Sequence, residues 1–336
     1  MSFNYYQLYG LILKTKNSIK HLPKVSQFNE VDFIINFQVE AKKKDYAFIP
    51  EASEIYTSSG LAPNGLPILT IWKQYESIKA FLVIRYINDN EKVTFFVSDK
   101  KGEHLDVYYH PNNSANDIYT YLLGPVIGCV LRLKNKVCLH ASVVNINEQA
   151  FAFIGEKGAG KSTLIAHFAA HGYSILSDDI AVLSKEENGF KVSTGYPRLR
   201  LWRESLAELK AIDIDTLTPV LTNLDKFYLP LNEISKTNWL FQNKPLPLAA
   251  VVYLNSRNET RDLALTELNP LESFLKLKGN VYAEYMLDTP LLKKEFEFFG
   301  VISQQLPVLS LERPNSLTYL ADTRKYIVEW AKNIQI

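Results

Sequence analysis

The sequence predicts a mixed α/β protein, in which a β-rich first part precedes an α/β domain built around a phosphate-binding loop. Three observations predict this. Short runs rich in β-branched and aromatic residues follow one another from Asp32 to Asp99. The segment Gly155–Thr163 reads GEKGAGKST and fits G-x-x-x-x-G-K-[ST]. An apolar strand, Ala150 to Ile154, enters that loop, and an amphipathic helix, Lys161 to Gly172, leaves it.

In chain order, the first strands are Asp32–Glu40, Ser53–Gly60, Pro67–Tyr75, Lys79–Ile87 and Lys92–Asp99. Turn chemistry at Asn64-Gly65, Asn88-Asp89-Asn90 and Lys101-Gly102 separates or follows them, so antiparallel neighbours are expected. Lys42-Lys43-Lys44 reads as a solvated loop. The character changes near His110, which places a boundary at about Pro111 and gives domains of residues 1–111 and 112–336. Ile118–Leu133 reads as a buried helix, with Ser114 or Asn116 as its N-cap. Strands follow at Val137–Ile146 and Gln149–Gly155. Tyr173–Ser184 reads as strand, polar break, strand. Pro247–Asn255 is another apolar strand, and residues 270–287 and 316–334 have helical periodicity.

Composition narrows the function. The 336 residues hold 37 Lys and Arg against 36 Asp and Glu, a net charge of +1, which argues against a DNA- or RNA-binding protein. A hydrophobic fraction of 47% supports a large core. The N-terminus has no basic region followed by an apolar one, and Ile118–Leu133 is shorter than the ~20 residues of a spanning helix, so no membrane role is expected. The two cysteines, Cys129 and Cys138, form no metal or disulfide framework and read as reduced thiols of a cytoplasmic protein.

The chemistry concentrates in four places. In the loop, Gly155, Gly158 and Gly160 permit tight turns that bring backbone N–H groups against phosphate oxygens. Lys161 neutralises terminal phosphates, Ser162 ligates Mg²⁺, and Thr163 adds a phosphate contact. Glu156, Lys157 and Ala159 complete the nucleotide-binding segment; Lys157 adds positive charge and Glu156 must point away. Second, an apolar strand ends in Ser177-Asp178-Asp179, where one carboxylate can serve Mg²⁺ and the other an acceptor hydroxyl. Third, His140 lies one strand upstream of the loop. Fourth, Arg198 and Arg200 in YPRLRLW suit substrate or phosphate contact. His167 and His171 lack a companion acid and read as ordinary helix residues.

Together these segments resemble the HPr kinase-like proteins, whose catalytic fold is related to phosphoenolpyruvate carboxykinase. The likeness is strongest to stand-alone relatives such as lasso-peptide precursor kinases. It is dense from Tyr119 to Trp202, through the Leu-His-Ala strand, the phosphate loop, HGYSILSDD and YPRLRLW. The resemblance implies Asp178 as the base that orients and deprotonates the acceptor, and Asp179 as metal support. It also implies His140 beside the reacting phosphate, and a homo-oligomer. Arg198 and Leu201 stand where HPr kinases proper carry Glu and Gly, so HPr as acceptor and the reverse phosphorylase reaction do not carry over.

The expected activity is a Mg·ATP-dependent serine kinase acting on a peptide or protein. The alternatives are a nucleotide-binding regulatory module with little transferase activity and a kinase of a small-molecule alcohol. A small carboxykinase-like enzyme is a further reading, but its Lys and His metal site is not found.

Overall fold

The structure is a computed structural model. It describes all residues except 1, 21, 40–52, 78–79, 89–91, 210–212, 222–223, 232–238, 257–261 and 334–336. The lysine run 42–44 and the turn residues Asp89 and Asn90 therefore lie outside the described residues. The chain divides into two compact units. One holds residues 1–136 with 220–224 and 283–287, and the other holds the remainder.

The first unit is built on an eight-stranded sheet. Its strands are β1 (Asn4–Leu8), β2 (Leu11–Thr15), β3 (Phe33–Val39), β4 (Ser53–Thr57), β5 (Leu69–Lys73), β6 (Leu82–Ile87), β7 (Val93–Ser98) and β8 (His104–Tyr109). The spatial order is β1-β2-β3-β8-β7-β6-β5-β4. Strands β4 to β8 form the expected antiparallel meander. However, β3 runs parallel to both β2 and β8. The long connection from Thr15 to Phe33 brings the chain back to the same end of the sheet, as parallel pairing requires. The β1–β2 hairpin was not legible beforehand. Its turn places Tyr9 and Gly10 at φ 53° and 74°, and Tyr-Gly is not an expected pair for that conformation.

The expected helix over Ile118–Leu133 is a broken one. Helix α1 (Ala115–Tyr121) meets α2 (Ile127–Leu133) through a wider turn at Leu122–Val126, where Gly124 leaves helical geometry before Pro125. Ser114 is the N-cap of α1. These helices group with the first unit, so the division follows Lys136 where composition suggests Pro111. Aromatic contacts explain why: Tyr121 stacks on Tyr86 of β6 at 3.7 Å between centroids, and Tyr119 meets Phe37 of β3 edge-on at 6.0 Å. Among the described residues, no helix is long and apolar enough to cross a membrane. Cys129 and Cys138 are buried and unbridged.

The second unit carries a nine-stranded mixed sheet and a small three-stranded one. Strands β9 (Val137–Leu139), β10 (Ser142–Ile146), β11 (Gln149–Ile154), β12 (Ile175–Ser177), β13 (Ala181–Glu186) and β14 (Gly189–Ser193) precede β15 (Arg198–Trp202). Strands β16 (Thr218–Pro219), β17 (Lys226–Pro230), β18 (Leu246–Leu254), β19 (Ala264–Glu267) and β20 (Val308–Glu312) follow. The large sheet runs β12-β10-β11-β18-β14-β13-β9, with β20 beside β18 and β19 beside β20; the small sheet is β15-β17-β16. Strand β11 pairs parallel with β18, and β18 with β20.

Strand β11 is apolar on both faces because both are covered. Phe151 and Phe153 join one core with Leu164 and Phe168 of α3 (Lys161–Ala170) and Ile327 of the C-terminal helix. Ala150, Ala152 and Ile154 join the other core with Leu277 and Phe299. Helices α4 (Arg203–Leu209), α5 (Pro270–Lys278), α6 (Thr289–Gln305) and α7 (Leu320–Lys332) complete the unit. The helical pattern read over 270–287 stops at Lys278, because the chain turns at Gly279 and Asn280.

Candidate active site

The loop between β11 and α3 has the conformation its glycines permit. Gly155, Gly158 and Gly160 have φ of 147°, 86° and 89°. At Gly155 a Cβ would lie 2.8 Å from the Leu254 carbonyl oxygen of β18, so close backbone approach as well as conformation demands glycine. Lys161 is buried, and its Nζ folds back to donate to the carbonyl oxygens of Gly155 at 2.7 Å and Glu156 at 3.3 Å. Burial pulls this ammonium below the usual lysine range, while Asp179 and Asp178 push it back up. Glu156 is exposed. The Arg313 guanidinium donates to the Ala159 carbonyl, and the Thr163 and Ser205 hydroxyls bond each other at 2.9 Å.

The acidic pair follows β12. Asp178 is buried and accepts three bonds. Its Oδ1 takes Ser162 Oγ at 2.8 Å and Ser142 Oγ at 2.7 Å, and its Oδ2 takes the Arg200 backbone N–H at 3.0 Å. Asp179 has φ of 82°, a conformation unfavourable for a side chain with a Cβ. That backbone twist aims Asp179 at different partners. Its Oδ1 lies 3.3 Å from His140 Nε2, and its Oδ2 accepts from Arg200 Nη1 at 3.1 Å. Burial alone would raise the Asp179 carboxyl, but the His140 hydrogen bond and the Arg200 charge outweigh it and hold it well below the usual carboxylate range.

His140 does not sit inside a strand as its surroundings suggest. The apolar run from Val137 to Ile146 breaks into β9, paired with β13, and β10, paired with β11 and β12. His140 occupies the break. Its backbone N–H donates to the Asn280 carbonyl at 2.7 Å. The same asparagine accepts the Gly155 N–H on its Oδ1 at 2.9 Å and is itself held by a bond from Nδ2 to the Lys276 carbonyl at 2.8 Å. Asn280 thus ties the start of the glycine loop to the backbone of His140.

Along β15 the side chains alternate. Leu199 and Leu201 enter the core, and the Arg200 guanidinium also bonds the Tyr196 hydroxyl at 2.8 Å. A cavity of about 740 Å³ opens over these groups, lined among others by His140, Lys161, Ser162, Asp178, Asp179 and Arg200. This volume suits a nucleotide-sized ligand. Lys157, Gly158, Gly160 and Thr163 line it as well.

Four site residues expected from the sequence, Gly155, Glu156, Ala159 and Arg198, do not line the cavity. Arg198 does not line the cavity; it is buried with its guanidinium 3.9 Å from the Tyr228 ring centroid. Glu156 also points away from it, as its charge requires. Further residues join the site: Ser142, Trp202, Glu204, Ser205, Lys226 and Leu317 line the cavity, and Asn280 braces it. Ser142 sits two residues past His140, a spacing that could have drawn notice. Lys226 and Asn280 carry no local signal.

No protein family matches the sequence, and no curated protein does. A solved structure does resemble the chain. It is the Hpr(Ser) kinase/phosphatase from Coxiella burnetii, 12% identical, with a TM-score of 0.32 over 58% of this chain and 98% of that one.

Proposed function

We propose that this chain is a Mg·ATP-dependent kinase that transfers the γ-phosphoryl group to a serine hydroxyl of a peptide or protein. The observation that carries the reading is the convergence, in one cavity, of a glycine-loop lysine, the following serine and a buried carboxylate bonded to that serine. The fit to a nucleotide and Mg²⁺ is supported by the left-handed glycines, which turn the loop backbone as an anion cradle requires, and by the hard oxygen donors of Ser162 and Asp178. Bound Mg²⁺ supplies charge neutralisation at the phosphate oxygens.

In this reading, Lys161 neutralises the phosphates while its folded-back side chain stays in register with the loop. Ser162 and Asp178 hold the metal. The acceptor oxygen bonds to the γ-phosphorus in line as the bond to the β–γ bridging oxygen breaks, and ADP leaves. The hydroxyl proton passes to the pair of His140 and Asp179, in which Asp179 stays ionised and orients the imidazole. The contacts thus favour the reverse of the roles the resemblance implies for the two aspartates. Asp178 accepts three bonds from protein donors, one of them from the Ser162 hydroxyl, whereas Asp179 shares its carboxylate with a cavity-lining histidine.

Incubation with labelled ATP, Mg²⁺ and serine-containing peptides encoded beside the gene tests the proposal. Phosphoserine located by mass mapping, with acceptor-dependent ADP release, supports it. Nucleotide binding without such release would favour a regulatory module. Labelling of a small alcohol only would replace the peptide acceptor.

A further inference from the structure

Lys226 opens β17, directly opposite Trp202 on β15. It lines the same cavity as Lys161, Asp178 and Asp179, although it comes from the three-stranded sheet and lies 65 positions beyond the loop lysine in sequence (226 − 161). Its ammonium is 5.5 Å from the Trp202 ring centroid. It makes no ion pair or hydrogen bond with any described residue. Two of the other cations around it are committed: Lys161 to two loop carbonyls, and Arg200 to Asp179 and Tyr196.

The electrostatics around Lys226 are unbalanced. Burial pulls its ammonium down; Asp178 and Asp179 pull it up, and Arg200 and Lys157 push it down again. Lys161 is itself lowered by Lys226. Three lysines and an arginine therefore face one cavity against three carboxylates, and two of these, Asp178 and Asp179, are already engaged by protein donors. A set of like charges held in a partly desolvated space is disfavoured until an anion comes between them, and then each cation gains.

Resting on the kinase reading above, we infer that Lys226 is a catalytic residue: its ammonium contacts the γ-phosphoryl group and stabilises the charge that spreads over its oxygens during transfer. Lys161 would grip the phosphates from the loop and Lys226 from the small sheet. The Trp202 ring beneath its stem limits the positions the ammonium can take.

The test is ATP and ADP affinity, together with acceptor-dependent turnover, for the wild-type chain, Lys226→Met and Lys226→Arg, each checked for an unchanged melting temperature. The expected result for Lys226→Met is at least a tenfold loss of ATP affinity, little change for ADP, and a fall in kcat on the order of 10²-fold, with substantial recovery in Lys226→Arg. Equal losses for ATP and ADP would overturn the inference, as would unchanged ATP affinity with a raised KM for the acceptor alone. If Lys226→Met melts early, Lys226→Gln takes its place under the same criteria. A full loss in Lys226→Arg despite retained charge and an unchanged melting temperature would also overturn the inference, because Lys226 would then act through packing. A wild-type chain that binds neither nucleotide would defeat the kinase reading itself, a different result from wild-type binding with an unaltered Lys226→Met.

Discussion

The Ser162 hydroxyl donates to Asp178 Oδ1 at 2.8 Å, joining the first turn of α3 to the end of β12. In the proposed kinase, these two hard oxygen donors would hold the divalent cation. Ser162→Ala and Asp178→Asn should each raise the Mg²⁺ concentration needed for half-maximal turnover by tenfold or more. Titration of activity with Mg²⁺ at fixed ATP reads this directly. An unchanged Mg²⁺ requirement in both variants would remove the pair from the metal site.

Lys161→Ala should abolish phosphoryl transfer and weaken nucleotide binding by at least tenfold, since the buried ammonium is the cation built into the loop itself. Labelled transfer and nucleotide titration check both. Full activity in this variant would sink the kinase reading.

Gly155→Ala meets two obstacles: a φ of 147° and a Cβ 2.8 Å from the Leu254 carbonyl. Gly158→Ala meets only the conformational one, because nothing lies within 4 Å of its would-be Cβ. The first should cost roughly 2–4 kcal/mol and the second roughly 1–2 kcal/mol in urea unfolding. Equal costs would show that close approach at Gly155 is relieved by movement of β18.

Asn280→Ala leaves the Gly155 N–H without its acceptor and removes the brace to α5. A loss of about 1–3 kcal/mol is expected, with a parallel fall in nucleotide affinity. Asn280→Asp keeps an acceptor and should recover most of the affinity. Calorimetric melting and nucleotide titration separate the two effects.

His167 offers a pH signature independent of catalysis. Burial, then the neighbouring His171 and Arg324, lower it from 6.5 to about 4. As pH falls below 6.5 the unfolded chain takes up a proton that the folded chain refuses. Stability contributed by this group is therefore full above pH 6.5, falls between pH 6.5 and about 4, and then levels off. His167→Gln should reduce the drop in urea midpoint between pH 7 and 5, and an identical drop would show that other groups carry it.

Much of the cavity wall was legible where its residues are neighbours in sequence. The loop, its glycine spacing, Lys161 and Ser162 form one continuous motif, because a glycine-rich strand-to-helix turn is a local solution. Asp178 and Asp179 were visible as a polar break between apolar runs. What was not visible is that a left-handed backbone at Asp179 sends the two carboxylates to different partners. Arg198 and Arg200 looked equivalent and share one face of β15, but Arg198 lies opposite Pro230 and stacks on Tyr228, outside the cavity wall, while Arg200 reaches Asp179.

By itself, then, the sequence determined the glycine-rich loop, the strand and helix that hold it, and the mixed α/β character. All three follow from local patterns of size, polarity and backbone freedom. Only the tertiary structure decided that His140 stands in a strand break, that Asn280 braces Gly155, and that Lys226 lines the same cavity as Lys161. These placements depend on pairing between strands and helices far apart in the chain. The free energy that selects such pairings comes from burying both faces of β11, which no short window of sequence records.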